Sequence, residues 1–165
     1  MDILVKTFSE LTTRELYEIL KARFEVFVME QHCFYLDLDD IDYEALHLFL
    51  WEGDRVEAYI RLFPDRLAPD FYPHSPDPNA WHLGRLLTRQ RGRGLGRRMM
   101  ERAIEEAQAR GVTVLRMEAQ CYIVPLYEQY GFRVLSDPFD DAGVLHVEIE
   151  KTMHYSSENC ISTSR

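Results

Sequence analysis

Residues 91–97 read Arg91-Gly92-Arg93-Gly94-Leu95-Gly96-Arg97. A mostly apolar strand, residues 81–88 (WHLGRLLT), runs into this stretch, and a helix runs out of it to Arg110. Leu95, Met99, Ala103 and Ala107 share one face of that helix, and Gly111 is a natural residue to end it. Glycines let a backbone approach a ligand closely, and successive N–H groups then point into one concavity. The first helical turn adds unpaired donors and the positive end of the helix dipole. Strand, loop and helix together make a phosphate cradle. Two common nucleotide motifs do not fit. A P-loop would end in Gly-Lys-Ser/Thr, where this chain has Gly96-Arg97-Arg98. A dinucleotide fingerprint begun at Gly92 would need Gly or Ala where Arg97 stands. Read alone, the stretch could equally be a solvated, Arg-rich turn.

The charge pattern gives the stretch weight. Between Arg85 and Arg102 lie seven arginines and one glutamate, a local +6 in a chain of net charge −9, so the remainder carries −15. Such a protein is a poor general nucleic-acid binder but suits one compact polyanion. At 165 residues the chain is one domain's worth, with ordinary globular composition. Its apolar runs are too short to span a bilayer, and MDILVKTFSE has no secretory pattern. Cys33, Cys121 and Cys160 are odd in number and lack metal-ligand spacing, so they read as free thiols in a reducing, cytoplasmic setting. No membrane or nucleic-acid partner and no metal are expected.

Outward from the loop the pattern alternates. Residues 2–7 read as a strand, and Thr12 to Glu15 has capping-box spacing before a helix from about Thr13 to Val28. Residues 30–44 read as a loop with five acidic residues between Asp37 and Glu44. Strands at 45–51 and 55–63 flank the turn Glu52-Gly53-Asp54. Residues 64–80 hold five of the seven prolines and read as a loop. A strand at 112–119, a short helix at 123–130 and strands at 131–135 and 144–152 complete the order. The spacing predicts one α/β (α+β) domain over 1–152, a mixed sheet flanked by helices, with a frayed tail from 153 to 165.

Arg-x-x-Gly-x-Gly before a long helix resembles the acyl-CoA pyrophosphate loop of the GNAT superfamily of N-acetyltransferases. About 30 residues on, Pro125-Leu126-Tyr127-Glu128-Gln129-Tyr130-Gly131-Phe132 is similar to the superfamily's second signature, an aromatic pair followed by Gly-Phe. Arg23 to Cys33, then Tyr35, Asp39, Asp42 and His47, with Gly84-Arg85 and Gly143-Val144-Leu145-His146, resembles the ElaA-like branch. The turn between Thr88 and Arg91 is about two residues shorter than the pattern and lacks its proline. The resemblance implies a mostly antiparallel sheet and acetyl-CoA as co-substrate. It implies contacts to CoA from Leu86, Leu87, Thr88 and Gln120 and from the loop Arg91, Gly92, Arg93, Gly94, Leu95, Gly96 and Arg97. It also implies that Tyr127 hydrogen-bonds the thiol sulfur and protonates the leaving thiolate.

The general base is open among Glu30, His47, Glu118, His146 and a water chain. Glu118 lies late on a central strand, near the expected acyl group. Arg23 and Glu30, seven apart on one helical face, could pair and shape an acceptor pocket with His47 and His146. The acidic loop could attract a cationic amine. The reading is acetyl transfer from acetyl-CoA to the amine of a small molecule or peptide, by direct attack, in a monomer or homodimer. The alternatives are a longer acyl donor, as in acyl-homoserine-lactone synthases, and a non-catalytic acyl-CoA sensor.

Overall fold

The computed structural model describes residues 2–68 and 77–155. Cys160 and the rest of the tail beyond 155 lie outside the described residues, as do residues 69–76 of the proline-rich stretch. Eight strands and three α-helices follow in the order β1 (Ile3–Thr7), α1 (Thr13–Arg23), β2 (Leu46–Glu52), β3 (Arg55–Pro64), β4 (Ala80–Thr88), α2 (Leu95–Ala109), β5 (Val114–Gln120), α3 (Val124–Glu128), β6 (Arg133–Val134), β7 (Phe139–Asp141) and β8 (Val144–Thr152). They form one sheet, β1-β2-β3-β4-β5-β8-β6, with β7 on β8. Every pairing is antiparallel except β4 with β5. The mixed, mostly antiparallel sheet expected from the sequence is therefore present.

Local chemistry explains the helix ends. Thr12 Oγ1 accepts from the Glu15 N–H at 3.1 Å, and Glu15 Oε2 accepts from the Thr12 N–H at 2.8 Å, a reciprocal cap on α1. On α2, Leu95, Met99, Ala103 and Ala107 are buried as the periodicity predicts, joined by Met100. They pack on one face of the sheet against Leu48, Ile60, Leu62, Leu115 and Ile149. Ile19, Ala22, Val26 and Phe27 cover part of the other face, over Phe49, Tyr59 and Leu87.

Three expectations are corrected. The first helix does not run on as an α-helix: after Arg23 it rewinds into a π-helical segment, Phe24–Glu30. Strand β7 was missed, because three residues after Pro138 carry no usable periodicity. The chain also stays packed past residue 152: Met153 is buried in the core, and the Tyr155 hydroxyl donates to the Val112 carbonyl at 2.6 Å.

Candidate active site

The fold opens a cleft where its one parallel pair comes apart. β4 and β5 pair only over Ala80–His82 with Val114–Arg116. Beyond that point β4 follows β3 to Thr88, while β5 follows β8 to Gln120. The edge of β4 that faces β5 is then without a strand partner. A bulge accompanies the parting: Tyr59 pairs with Leu87 but Arg61 with Gly84, so β4 carries one extra residue. Arg85 sits in that bulge with φ 58°, in the left-handed region. The extra residue swaps faces, so Leu83 packs under α2 and Leu87 under α1. The resulting cleft has a volume of about 830 Å³.

One end of the cleft is the Gly/Arg loop. Gly92 and Gly94 have φ of 79° and 68°, where a side chain is rarely tolerated, and a Cβ on either would meet only open space. Both glycines are exposed, and neither is among the residues that line the cleft. Gly94 is the N-cap of α2, no side chain caps that end, and the first turn holds no acid. The N–H groups of Leu95, Gly96 and Arg97 therefore face outward without an intrahelical acceptor. Arg91, Gly96 and Arg97 line the cleft, as do Leu86, Leu87 and Thr88 from the opened edge of β4. The Leu95 side chain is buried in the core. Arg93 is tied to Glu52 at 2.7 Å, outside the cleft lining. This donor-rich, cationic concavity fits the pyrophosphate of CoA, and the open β4 edge fits an extended amide chain.

The other end carries Tyr127, Glu118, Gln120 and His146. Tyr127 is buried, and no described residue hydrogen-bonds its hydroxyl. Burial first, then the neighbouring Tyr122 and Tyr130, pushes its pKa up to about 12. Glu118 points from β5 into the cleft. Water reaches it, yet the surrounding walls desolvate it, and with Asp141 and Glu148 they push its carboxyl pKa up. His146 pairs in register with Gln120, and its Nδ1 donates to the Val144 carbonyl at 2.8 Å.

Arg23, Glu30 and His47 do not line this cleft. The Arg23–Glu30 pair is not formed, because the π-helical winding turns the two residues to different faces. Arg23 is fully buried: its Nε donates to Asp37 at 2.9 Å, and its Nη1 to both oxygens of Asp42 at 2.8 Å. Glu30 instead meets Arg91 of the Gly/Arg loop. His47 is buried. Its Nε2 donates to the Asp42 carbonyl at 2.9 Å, and its Nδ1 accepts from the Tyr59 hydroxyl at 2.8 Å, which fixes a neutral tautomer. Burial lowers its pKa.

The acidic loop is also not what the charge run suggested. Asp37, Asp39 and Asp42 are consumed internally by Arg23, Arg61 and Arg85. Burial pushes the Asp39 pKa up, but the Arg61 guanidinium outweighs it and holds the carboxyl low. The sequence reading did not pick out Tyr35, Asp39, Asp141 and His82 as cleft residues, although all four line it. One signal was available. Cys33, Tyr35, Asp37 and Asp39 alternate inward against exposed Phe34, Leu36 and Leu38, an extended period of two hidden in a segment taken for loop. Among the described residues no group of His, Cys, Asp and Glu could hold a metal, and no helix is long and apolar enough to cross a membrane.

Comparison with known proteins shows the family. Residues 10–153 match the family described as the acetyltransferase (GNAT) domain. A UPF0039 protein of Synechocystis is 34% identical over 147 residues, 86% of this chain and 89% of that one. The structure of an acyl-CoA N-acyltransferase from Pseudomonas aeruginosa superposes with TM-score 0.81 at 29% identity, covering 92% of this chain and 100% of that one. Escherichia coli ElaA superposes with TM-score 0.78 at 24% identity, over 91% and 98%. Acyl-homoserine lactone synthases share the fold at 21% identity and below.

Proposed function

Because the chain belongs to the GNAT acetyltransferase family, we propose that it moves an acetyl group from acetyl-CoA to a primary amine of a small molecule or peptide. The observation that carries this reading is the cleft between β4 and β5, with an anion cradle at one end and a desolvated carboxyl and a buried phenol at the other. In the proposed reaction the pyrophosphate rests on the N–H groups from Arg91 to Arg97, and Arg91 and Arg97 balance its charge. The pantetheine lies along the open edge of β4. Glu118 takes the proton of the acceptor ammonium, directly or through water. The neutral amine nitrogen then attacks the thioester carbon, the C–S bond breaks with the electron pair leaving on sulfur, and the nitrogen gives its second proton to water to become the amide.

Tyr127 helps the sulfur leave, chiefly as a hydrogen-bond donor. A phenol near 12 stays protonated throughout the working range. Full transfer from it to a thiolate of pKa about 8.5 would run uphill by about 5 kcal/mol. The thiolate is therefore stabilised as it forms and collects its proton from water afterwards. The described free thiols, Cys33 and Cys121, suit a cytoplasmic setting. The test is thiol release from acetyl-CoA across a panel of primary amines, with the acetylated product identified by mass spectrometry. Acetylated amine is the expected result. CoA binding without thiol release for any amine or acyl length would replace the enzyme reading with an acyl-CoA sensor.

A further inference from the structure

The bulge that opens the cleft is occupied by an arginine rather than a glycine, and that arginine reaches across the cleft. Arg85 holds φ 58°, an uncommon backbone conformation for any residue but glycine. Its Nε donates to Asp37 Oδ1 at 2.7 Å and its Nη2 to Asp39 Oδ2 at 3.3 Å. The guanidinium also lies 4.7 Å from the centroid of the Tyr35 ring. All three partners belong to the segment between the π-helical turn and β2, the segment that supplies Cys33, Tyr35, Asp39 and Ile41 to the wall of the cleft.

The same two aspartates have other ties. Asp37 also accepts from Arg23, at the end of α1, and Asp39 accepts from both Nη atoms of Arg61, on β3. Arg23 fastens the segment to α1, and Arg61 fastens it to the sheet. Arg85 alone of the three fastens it to the bulge, where β4 stops following β5. One residue thus sets the backbone of the β4 edge and holds the opposing wall.

We propose that Arg85 is a positioning residue with two separable duties: its backbone maintains the bulge on which the acyl-CoA edge of β4 depends, and its guanidinium holds the 31–45 segment as the acceptor-side wall. The functional meaning of the two sides rests on the acetyltransferase reading above. The geometric claim does not.

Two variants divide the duties. Arg85→Gly keeps the positive φ free of strain and removes the guanidinium. Arg85→Ala removes the guanidinium and leaves a side chain at φ 58° with nothing to offset it. Cys33 reports the wall, being buried on this segment and lining the cleft, while Cys121, directly after β5 and not among the lining residues, serves as reference. The measurements are thiol-labelling rates at Cys33 and Cys121 by peptide mass mapping, and CoA affinity by calorimetry, with melting temperature alongside.

For Arg85→Gly, Cys33 labelling should rise about tenfold or more with Cys121 unchanged, and CoA affinity should stay within about twofold. For Arg85→Ala, Cys33 labelling should rise likewise and CoA affinity should fall at least about fivefold. Cys33 labelling within twofold of wild type in Arg85→Gly would overturn the anchoring duty. Equal losses of CoA affinity in the two variants would overturn the separation. A rise in labelling at both cysteines would reduce Arg85 to a general stabiliser and overturn both. Should wild type acetylate no amine, the proposed reaction fails while these measurements still decide the role of Arg85.

Discussion

Replacing Glu118 by Gln should make the protein slower and more stable at once. The amide keeps the size of the carboxyl and removes the atom that can take a proton. Losing a positioned base typically costs about 10²–10⁴ in rate, or about 2.7–5.4 kcal/mol of barrier. Stability should move the other way, because the cleft walls first, then Asp141 and Glu148, raise the folded pKa of Glu118 above 4.5. Between 4.5 and the folded value the native state holds more proton than the unfolded chain, so stability falls as pH rises through that window. Above the window the ionised carboxylate carries the whole penalty, and an amide carries none. Glu118→Gln should therefore melt above wild type at pH 7, and the difference should vanish below about pH 4. Initial rates of thiol release from pH 5 to 9 complete the assay. Wild type should lose activity toward acid with a midpoint above 4.5, and the variant should lose that limb. A rate within threefold of wild type, or a melting temperature lower than wild type at pH 7, would refute the assignment.

Other outcomes follow from the same geometry. Tyr127→Phe removes a hydroxyl that no described residue hydrogen-bonds, so the melting temperature should stay within about 2 °C, CoA affinity within about threefold, and turnover should fall about 10²–10³-fold; a rate within threefold would remove Tyr127 from the mechanism. Gly94→Asp should fold, since Asp tolerates positive φ better than most residues and suits a helix N-cap, but calorimetry should show CoA binding weakened at least about tenfold, with Gly94→Asn less affected. Equal binding by both would mean that phosphate charge is not sensed at this loop. Asp42→Asn takes charge from between two buried guanidiniums and should cost about 3–5 kcal/mol, or about 6–20 °C in melting temperature; a loss under 2 °C would mean that Asp37 and Asp39 suffice to neutralise Arg23 and Arg61.

The strand, loop and helix at one end of the cleft, the proposed donor side, were legible in the sequence because they are local. A strand, a glycine loop and a helix follow one another within 30 residues, and their period and turn chemistry declare them. The wall proposed as the acceptor side is written across the chain. Arg23, Arg61 and Arg85 lie on α1, β3 and β4, and only folding brings them to three aspartates of one segment. Read in sequence, those aspartates are a charge run, which ordinarily means a solvated surface. Arg23 and Glu30 were paired on paper by a helical period of 3.6, and the π-helical turn breaks that period between them. The bulge at Arg85 was hidden for a related reason: a non-glycine residue at positive φ leaves no compositional trace. The short turn after Thr88 marked the region as irregular without saying where the extra residue lay.

Partial desolvation of Glu118 and burial of Tyr127 shift both proposed catalytic groups in the same direction, and the chemical consequences oppose each other. Desolvation raises the pKa of Glu118, which makes that carboxylate a stronger base at neutral pH. Burial raises the pKa of Tyr127 to about 12, which makes that phenol a weaker acid. A mechanism that used Tyr127 as a full proton donor would work against its own environment, whereas a hydrogen bond to the sulfur gains from it, since a donor in a dry pocket interacts more strongly with a developing negative charge. An ammonium has no lone pair with which to attack, so the acceptor must lose its proton at the cleft, where Glu118 stands. The pocket thus favours an order of events in which deprotonation at Glu118 precedes attack and protonation of sulfur follows release.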